Sequence, residues 1–399
     1  MIADKKKKIL VLPAIFDHVD LIIEAKNNGY HVITCDNQVN NVGHSYSDEV
    51  ALIDLLDHKS MLKFSLDMGI DAIISFSTDI GAVPAALVAD KLQLPGAGYK
   101  AVDIMANKDK FRKFQKENGL SFPAYQVVSC YEELDGTTLD FPVVVKPIDR
   151  AGSKGVSVVN SLSELKTKLP FAVNLSLKGK VIVERFISSE YHQVHGDVIV
   201  QNGEIIFSCL GDQVFNTFGG RCLPIATLFP TSISKRIYDK IISQLQHFVT
   251  LVGYKNGGIN VEVRVGNAGN ICFIELGPRF GGNFIPKTIG LACGINLTRF
   301  AINLANGIPI SIGNYTVNPR IFQFILRADR LGCFKGVILK NTDEFSVLSE
   351  FTQYNINDRI ENLDGPSSIV GIYVIEAVTK SLRGRIVENH IDFFEIKIV

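Results

Sequence analysis

The sequence shows no excess of either charge: its 399 residues carry 41 basic and 41 acidic side chains. A polyanionic nucleic-acid partner calls for a basic surplus and an acidic tail for the reverse, so neither is suggested. Its seven cysteines are odd in number and include no C-x-x-C pair. That argues against a disulfide framework or a zinc site and fits a reducing, cytoplasmic setting. Long apolar runs are missing too. The stretch "ILVLPAIF" after the lysines at 5–8 is far too short to cross a bilayer, and no small-residue cleavage site precedes "DHVD". Those lysines read as the solvated start of a first strand, with no membrane partner expected. Repeats and low-complexity segments are absent as well. What is present is 46% hydrophobic and 21% charged, the balance of a soluble globular enzyme. At roughly 100–200 residues per domain, two or three domains are expected.

Residues 8–95 alternate strand-like runs with helical ones: "KILVLPA", "VDLIIEAKNNG", "YHVITCD", "IDAIISFST" and "IGAVPAALVADKLQLP". This is a βαβ pattern with a parallel sheet. The G-x-G-x-x-G fingerprint is missing, since "LPAIFDHVD" stands in its place, so a dinucleotide site is not expected and Asp36 reads as a loop residue. A helix ending at Gly119 follows. Then "FPVVVKPIDRAGSKGVSVVN" sets a strand, a lysine, a loop and a second strand in order. Gly152, Ser153, Lys154 and Gly155 are small or cationic residues that suit close backbone approach to a phosphate, or simply a hairpin turn. The spacing is not that of the P-loop. Lys146, after four apolar strand positions, needs an anionic partner or a path to water. Beyond it, "QNGE" predicts a hairpin turn, "TSISKRIYDKIISQLQHFVTLVG" a helix and "PKTIGLACGINLTRFAINLANG" a helix pair. From about 311 the pattern is one of short strands.

The segment "VEVRVGNAGNICFIELGPRFGGN" (261–283) holds two apolar runs, each with one glutamate. A two-residue turn at Ala268-Gly269 would set Glu262 directly opposite Glu275. Cβ atoms of opposed residues sit about 4.5–5.5 Å apart, where like charges repel unless a cation lies between them. Mg²⁺ would serve, since it takes carboxylate oxygens and leaves its other positions to water and substrate phosphates. Taken alone, the hairpin fits a solvent-facing pair of glutamates equally well.

In order, these pieces resemble the ATP-grasp superfamily. They are Asn107-Lys108 eleven residues before Gly119-Leu120, then "VVVKP", a loop ending in "SKGV", "VERFI", Glu262, and E-x-x-x-R-F-G-G beginning at Glu275. The layout is also similar to that of biotin carboxylase and carbamoyl phosphate synthase, and most similar to the carboxylate-amine ligases. The resemblance implies an α/β (α+β) fold: a Rossmann-like domain over 1–104, the nucleotide domain over 105–310 with a lid at about 119–187, and a small β-rich closing domain over 311–399. It implies ATP and Mg²⁺ (Mn²⁺ as an alternative ion), small-molecule carboxylate and amine substrates, and a homodimer. A phosphotransferase and a non-catalytic nucleotide-binding protein are the rival readings.

The same resemblance implies roles. Lys108 and Lys146 contact ATP phosphates, and the loop of Gly152, Ser153, Lys154 and Gly155 closes over them. Glu184, Arg185, Phe186 and Ile187 form the adenine-reading segment, and Glu190 reaches the ribose. Glu262 and Glu275 are metal ligands, and Arg279 stabilises the transferred phosphoryl group. On the substrate side stand Arg221, which could clamp a carboxylate or lie at the surface, Asn283, and His192, which faces the cavity or serves structural hydrogen bonding. One departure is Gly277, where many members carry an asparagine that holds a second metal ion.

Overall fold

The structure is a computed structural model that describes residues 6–135, 140–150, 152, 154–218, 221–267, 269–363 and 365–399, with the side chains of Phe218 and Arg221 excepted. Residues 6–106 form the parallel unit that the alternation predicts. Strands β1 (Lys8–Val11), β2 (His31–Cys35), β3 (Glu49–Ala51) and β4 (Ala72–Ile74) lie in the order β3-β2-β1-β4, all parallel. Helices α1 (Val19–Asn27), α2 (His58–Met68), α3 (Asp79–Leu92) and α4 (Tyr99–Ala106) belong to the same unit. Ile9, Leu10 and Val11 are fully buried because a parallel strand is covered on both faces. The strand order reverses between β1 and β4, so the loops after these two strands flank the crevice where open α/β sheets bind ligands.

Helix α5 (Lys108–Glu117) leads into a small antiparallel sheet. Its strands β5 (Tyr125–Val128), β6 (Val143–Pro147), β7 (Ser157–Val159) and β8 (Val181–Arg185) run in the order β5-β8-β6-β7, with α6 (Leu162–Leu175) packed on one face. Val143, Val145, Val181 and Val183 alternate toward α6, which turns Lys146 and Glu184 to the other face.

The central sheet has eight strands. Strands β9 (Gln193–Gln201), β10 (Glu204–Phe218), β11 (Arg221–Leu228), β12 (Gly257–Val265), β13 (Ile271–Gly277) and β14 (Ile321–Arg327) are joined by two from the C-terminal stretch. That stretch supplies β15 (Gly332–Leu339), β16 (Phe345–Thr352), β17 (Arg359–Ile360), β18 (Ile369–Ala377) and β19 (Phe394–Ile398). The order is β13-β12-β9-β10-β11-β14-β18-β16, so much of the expected closing domain extends the central sheet, while β17, β15 and β19 form a separate small one. The β9–β10 turn is Asn202-Gly203, both at positive φ as a tight hairpin requires. One face of the sheet is covered by α7 (Lys235–Val252), whose Ile241, Leu245, Phe248 and Val249 recur at helical spacing and are fully buried. The predicted helix pair is α8 (Ile285–Cys293) and α9 (Leu297–Ala305), and α10 (Leu382–Glu388) follows later. Among the described residues no single helix is long and apolar enough to cross a membrane.

Candidate active site

The two glutamates face each other: Glu262 on β12 pairs with Glu275 on β13. The expected register holds, but for a different local reason than a two-residue turn. The strands close at Val265 and Ile271 around a five-residue loop, 266–270, held by Gly266 N–H to Asn270 O at 2.8 Å and Gly269 N–H to Gly266 O at 2.7 Å. Ala268 itself lies outside the described residues. The register then shifts by one residue between Glu262 and Val263, and Ile274 on β13 is the extra residue of a bulge. Loop and bulge together restore the pairing.

Two carboxylates this close do not both hold a charge easily. Burial, then the charge of Glu275, pushes the Glu262 carboxyl up to about 7. Burial pushes Glu275 the same way, but Lys108, Lys146 and Arg279 outweigh it and hold it below the usual range. Gln193 Nε2 donates to Glu262 Oε2 at 3.0 Å, and Lys108 Nζ lies 3.2 Å from Glu275 Oε2. Two opposed buried carboxylates, one of them pushed up by burial and by its neighbour's charge, fit a hard divalent ion. Mg²⁺ would be held by Glu262 and Glu275, with water and phosphate oxygens completing its shell.

Lys108 is the first residue of α5, and its ammonium also donates to Arg150 O at 2.9 Å, next to the glycine loop. Burial lowers the affinity of Lys108 for its proton, but the charges of Glu275 and Asp79 more than restore it. One helical turn on, Arg112 is 1% exposed and links three elements. It donates from Nε to Glu184 Oε1 at 2.7 Å, from Nη1 to Phe273 O at 3.0 Å and from Nη2 to Ile274 O at 2.8 Å. Successive carbonyls of a regular strand point in opposite directions, so only the bulge lets one guanidinium collect both.

Glu184, expected against adenine, has both carboxylate oxygens engaged by protein cations. Its Oε1 is taken by Arg112 and its Oε2 by Lys146 Nζ at 2.7 Å. A carboxylate buried between two cations gives neither oxygen up cheaply, and although burial alone would raise it, Arg112 and Lys146 hold it down at about 2. Its position makes it the support of Lys146. Lys146, whose proton affinity burial lowers, stays within the same charged cluster.

Arg279 follows β13. Its guanidinium meets Asp79, the first residue of α3, through Nε at 3.0 Å and Nη2 at 2.8 Å. The next turn contains Asn283 and Phe284, both at positive φ, a strained pair for non-glycine residues. Asn283 N–H donates to Asp17 Oδ2 at 3.4 Å and Asn283 O accepts from Gln323 Nε2 at 3.1 Å. Beside this turn Gln193, Gln213, Thr227 and Gln323 stand opposite one another across β9, β10, β11 and β14. All four are buried, so a polar strip crosses the sheet next to the carboxylates.

Other expected residues lie apart. The side chains of Arg185, Glu190 and His192 are exposed, and Arg185 faces away from Glu184, 3.9 Å from Asp140. Phe186 and Ile187 lie closer in: the Arg264 guanidinium sits 4.9 Å from the Phe186 ring centroid and donates to Ile187 O at 3.4 Å. Gly152 and Gly155 both take positive φ, as a tight loop needs, and Lys154 is exposed. Ser153 and the Arg221 side chain lie outside the described residues.

Sequence reasoning missed Arg112, Asp79, Asp197 and Asn260. His195 is buried and held down to about 4 by that burial, so it is neutral; Nδ1 meets Thr227 Oγ1 at 3.2 Å and Nε2 accepts from Asn260 at 3.1 Å. The one available signal for Arg112 was its place four residues after Lys108, on the same helical face.

Residues 139–287 match the family model of the ATP-grasp domain. That stretch contains Lys146, Glu184, Glu262, Glu275 and Arg279, while Lys108, Arg112 and Asp79 come from before it. Whole-chain likeness agrees. The L-amino acid ligase of Bacillus licheniformis superposes with a TM-score of 0.81 at 17% identity, covering 99% of both chains. The phosphoribosylglycinamide synthetase of Anaerococcus prevotii gives 0.77 at 19% identity, covering 99% of this chain and all of the other. At such identity these likenesses show the fold. Among curated relatives, the carbamoyl phosphate synthase large chain of Pseudothermotoga lettingae is 22% identical over 73% of this chain. An uncharacterized protein of Sinorhizobium fredii is 24% identical over 65% of it. The chain spans 28% and 54% of these two proteins respectively.

Proposed function

We propose that this protein is an ATP- and Mg²⁺-dependent ligase that phosphorylates a small carboxylate and passes the acyl group to an amine, releasing ADP and phosphate. The observation that carries this reading is the convergence of Glu262, Glu275, Lys108 and Arg279, with Lys146 linked to them through its charge. Phosphoryl transfer asks little covalent chemistry of a protein and depends on positioning and charge neutralisation. Glu262 and Glu275 would hold the divalent ion, which when bound neutralises phosphate charge. Lys108 and Lys146 orient phosphate oxygens from the side of α5 and β6, and Arg279 meets the charge on the transferred phosphoryl group and on the acyl phosphate. Water must be excluded until the amine attacks, since it would hydrolyse the acyl phosphate. A protein that only bound nucleotide would have no use for so much charge aimed at one end of it. The L-amino acid ligase and the phosphoribosylglycinamide synthetase among the similar structures have the carboxylate-amine character of this reading.

The test is ADP and phosphate release with ATP and Mg²⁺ over a crossed panel of small carboxylates and amines, with products identified by mass. Release that needs both partners, with a product lighter by one water than their sum, is expected. A phosphorylated product from one substrate alone would establish a phosphotransferase in its place. Glu275→Ala is expected to lose turnover by at least a thousandfold while its circular dichroism stays that of the parent.

A further inference from the structure

The parallel unit has no part in the chemistry above, yet it reaches the same site. The loops after β1 and β4 are pinned together by His18, whose Nδ1 meets Pro13 O at 2.6 Å and whose Nε2 accepts from Ser77 N–H at 3.1 Å. From this platform Phe76 O accepts from Phe280 N–H at 2.9 Å, and Asp79 takes two bonds from Arg279 with its two oxygens. Two hundred residues separate the pair, and its side chains are 11% and 17% exposed, so it is unlike the surface ion pairs that contribute little.

Other contacts fix the guanidinium. Its Nη1 donates to Phe280 O at 3.0 Å. A Cβ added to Gly277 would lie 3.1 Å from Arg279 Cζ and 3.3 Å from its Nε and Nη1, so the guanidinium rests against the bare backbone of that glycine. The missing side chain at 277 is the space the arginine occupies. Three of the five guanidinium N–H groups are used by Asp79 and Phe280, which leaves two for a reacting oxygen. A bidentate carboxylate orients a planar guanidinium as a single hydrogen bond cannot.

We propose that Asp79 is a positioning residue for Arg279, so that the parallel unit sets the aim of the arginine in the nucleotide domain. The consequence for turnover rests on the ligase reading above; the positioning itself does not. Asp79→Ala is expected to lower kcat at least thirtyfold with the KM for ATP changed less than threefold, Asp79→Glu to recover a tenth or more of the parent rate, and Asp79→Ala combined with Arg279→Ala to be no slower than Arg279→Ala alone. Gly277→Ala, which crowds the guanidinium from the other side, is expected to lower kcat in the same way. The independent readout is the Arg279 Nε–H signal in ¹⁵N NMR, assigned by its loss in Arg279→Ala: slow to exchange with solvent in the parent and in Asp79→Glu, fast in Asp79→Ala. An Arg279 signal still protected in Asp79→Ala would overturn the proposal, as would a lower melting temperature with kcat unchanged. A parent enzyme with no turnover on any substrate would overturn the ligase reading and leave the NMR result to decide this one.

Discussion

Asp197 and Glu184 are both buried carboxylates, and their surroundings drive them in opposite directions. Glu184 lies between Arg112 and Lys146 and stays charged. Asp197 accepts from Asn260 Nδ2 and from Gly281 N–H, each at 2.9 Å, through one oxygen, while its Oδ2 is buried with no partner among the described residues. Burial pushes it up to about 7 from an ordinary 3.8. The folded state therefore holds this proton more tightly than the unfolded chain. Its contribution to stability is complete below about pH 4 and is lost as pH rises toward 7. At about 1.4 kcal/mol per pH unit the loss amounts to at most about 4 kcal/mol. Asp197→Asn keeps the shape and the accepting oxygen. Urea unfolding of the two proteins from pH 4 to pH 8 is expected to show the parent losing more stability with rising pH than the variant; parallel curves would mean that Asp197 does not carry this proton.

At the scale of elements, Arg112 ties α5 to β8 and to the bulge of β13. Removing it would strand Glu184 and two strand carbonyls, and breaking a buried ion pair from one side costs about 3–5 kcal/mol. Arg112→Ala is expected to show a loss of that size in denaturant unfolding. Arg112→Lys should recover little, because one ammonium cannot reach acceptors on two strands in a plane. A loss under about 1 kcal/mol would mean that the bulge holds itself. The same helix presents Lys108 to Glu275, so one turn of α5 carries both cations.

For the whole molecule, the site draws on all three large units: Asp79 from helix α3 of the parallel unit, Lys146 from the small antiparallel sheet, and Glu262 and Glu275 from the central one. A ligand that touches more than one of them should stabilise the protein as a whole. At a hundred times its Kd, ADP with Mg²⁺ is expected to add about 2.7 kcal/mol to stability, read as a rise in melting temperature by calorimetry. Glu275→Ala should lose the part of that rise that depends on Mg²⁺. An equal rise in both proteins would move the ion away from the glutamates.

Period and spacing in the sequence determined a good deal. The βαβ alternation, the Asn202-Gly203 turn, the helix pair at 285–305 and the opposed glutamates are local or hairpin features, set by contacts between residues near in sequence. Lys146 was legible as a charge after four apolar strand positions, and Lys108 and Arg279 through the resemblance that their motifs carry. What only the tertiary structure decided is who partners whom. Arg112 pairs with Glu184 from 72 residues away, and Asp79, to which the spacing assigned no role, meets Arg279 from 200 residues away. The same holds for the C-terminal strands, whose alternation marks them as strands without saying that β14, β18 and β16 would join the central sheet. Strand pairing and ion pairing over such separations depend on which surfaces the rest of the chain leaves facing each other, and a linear pattern of residue types does not contain that.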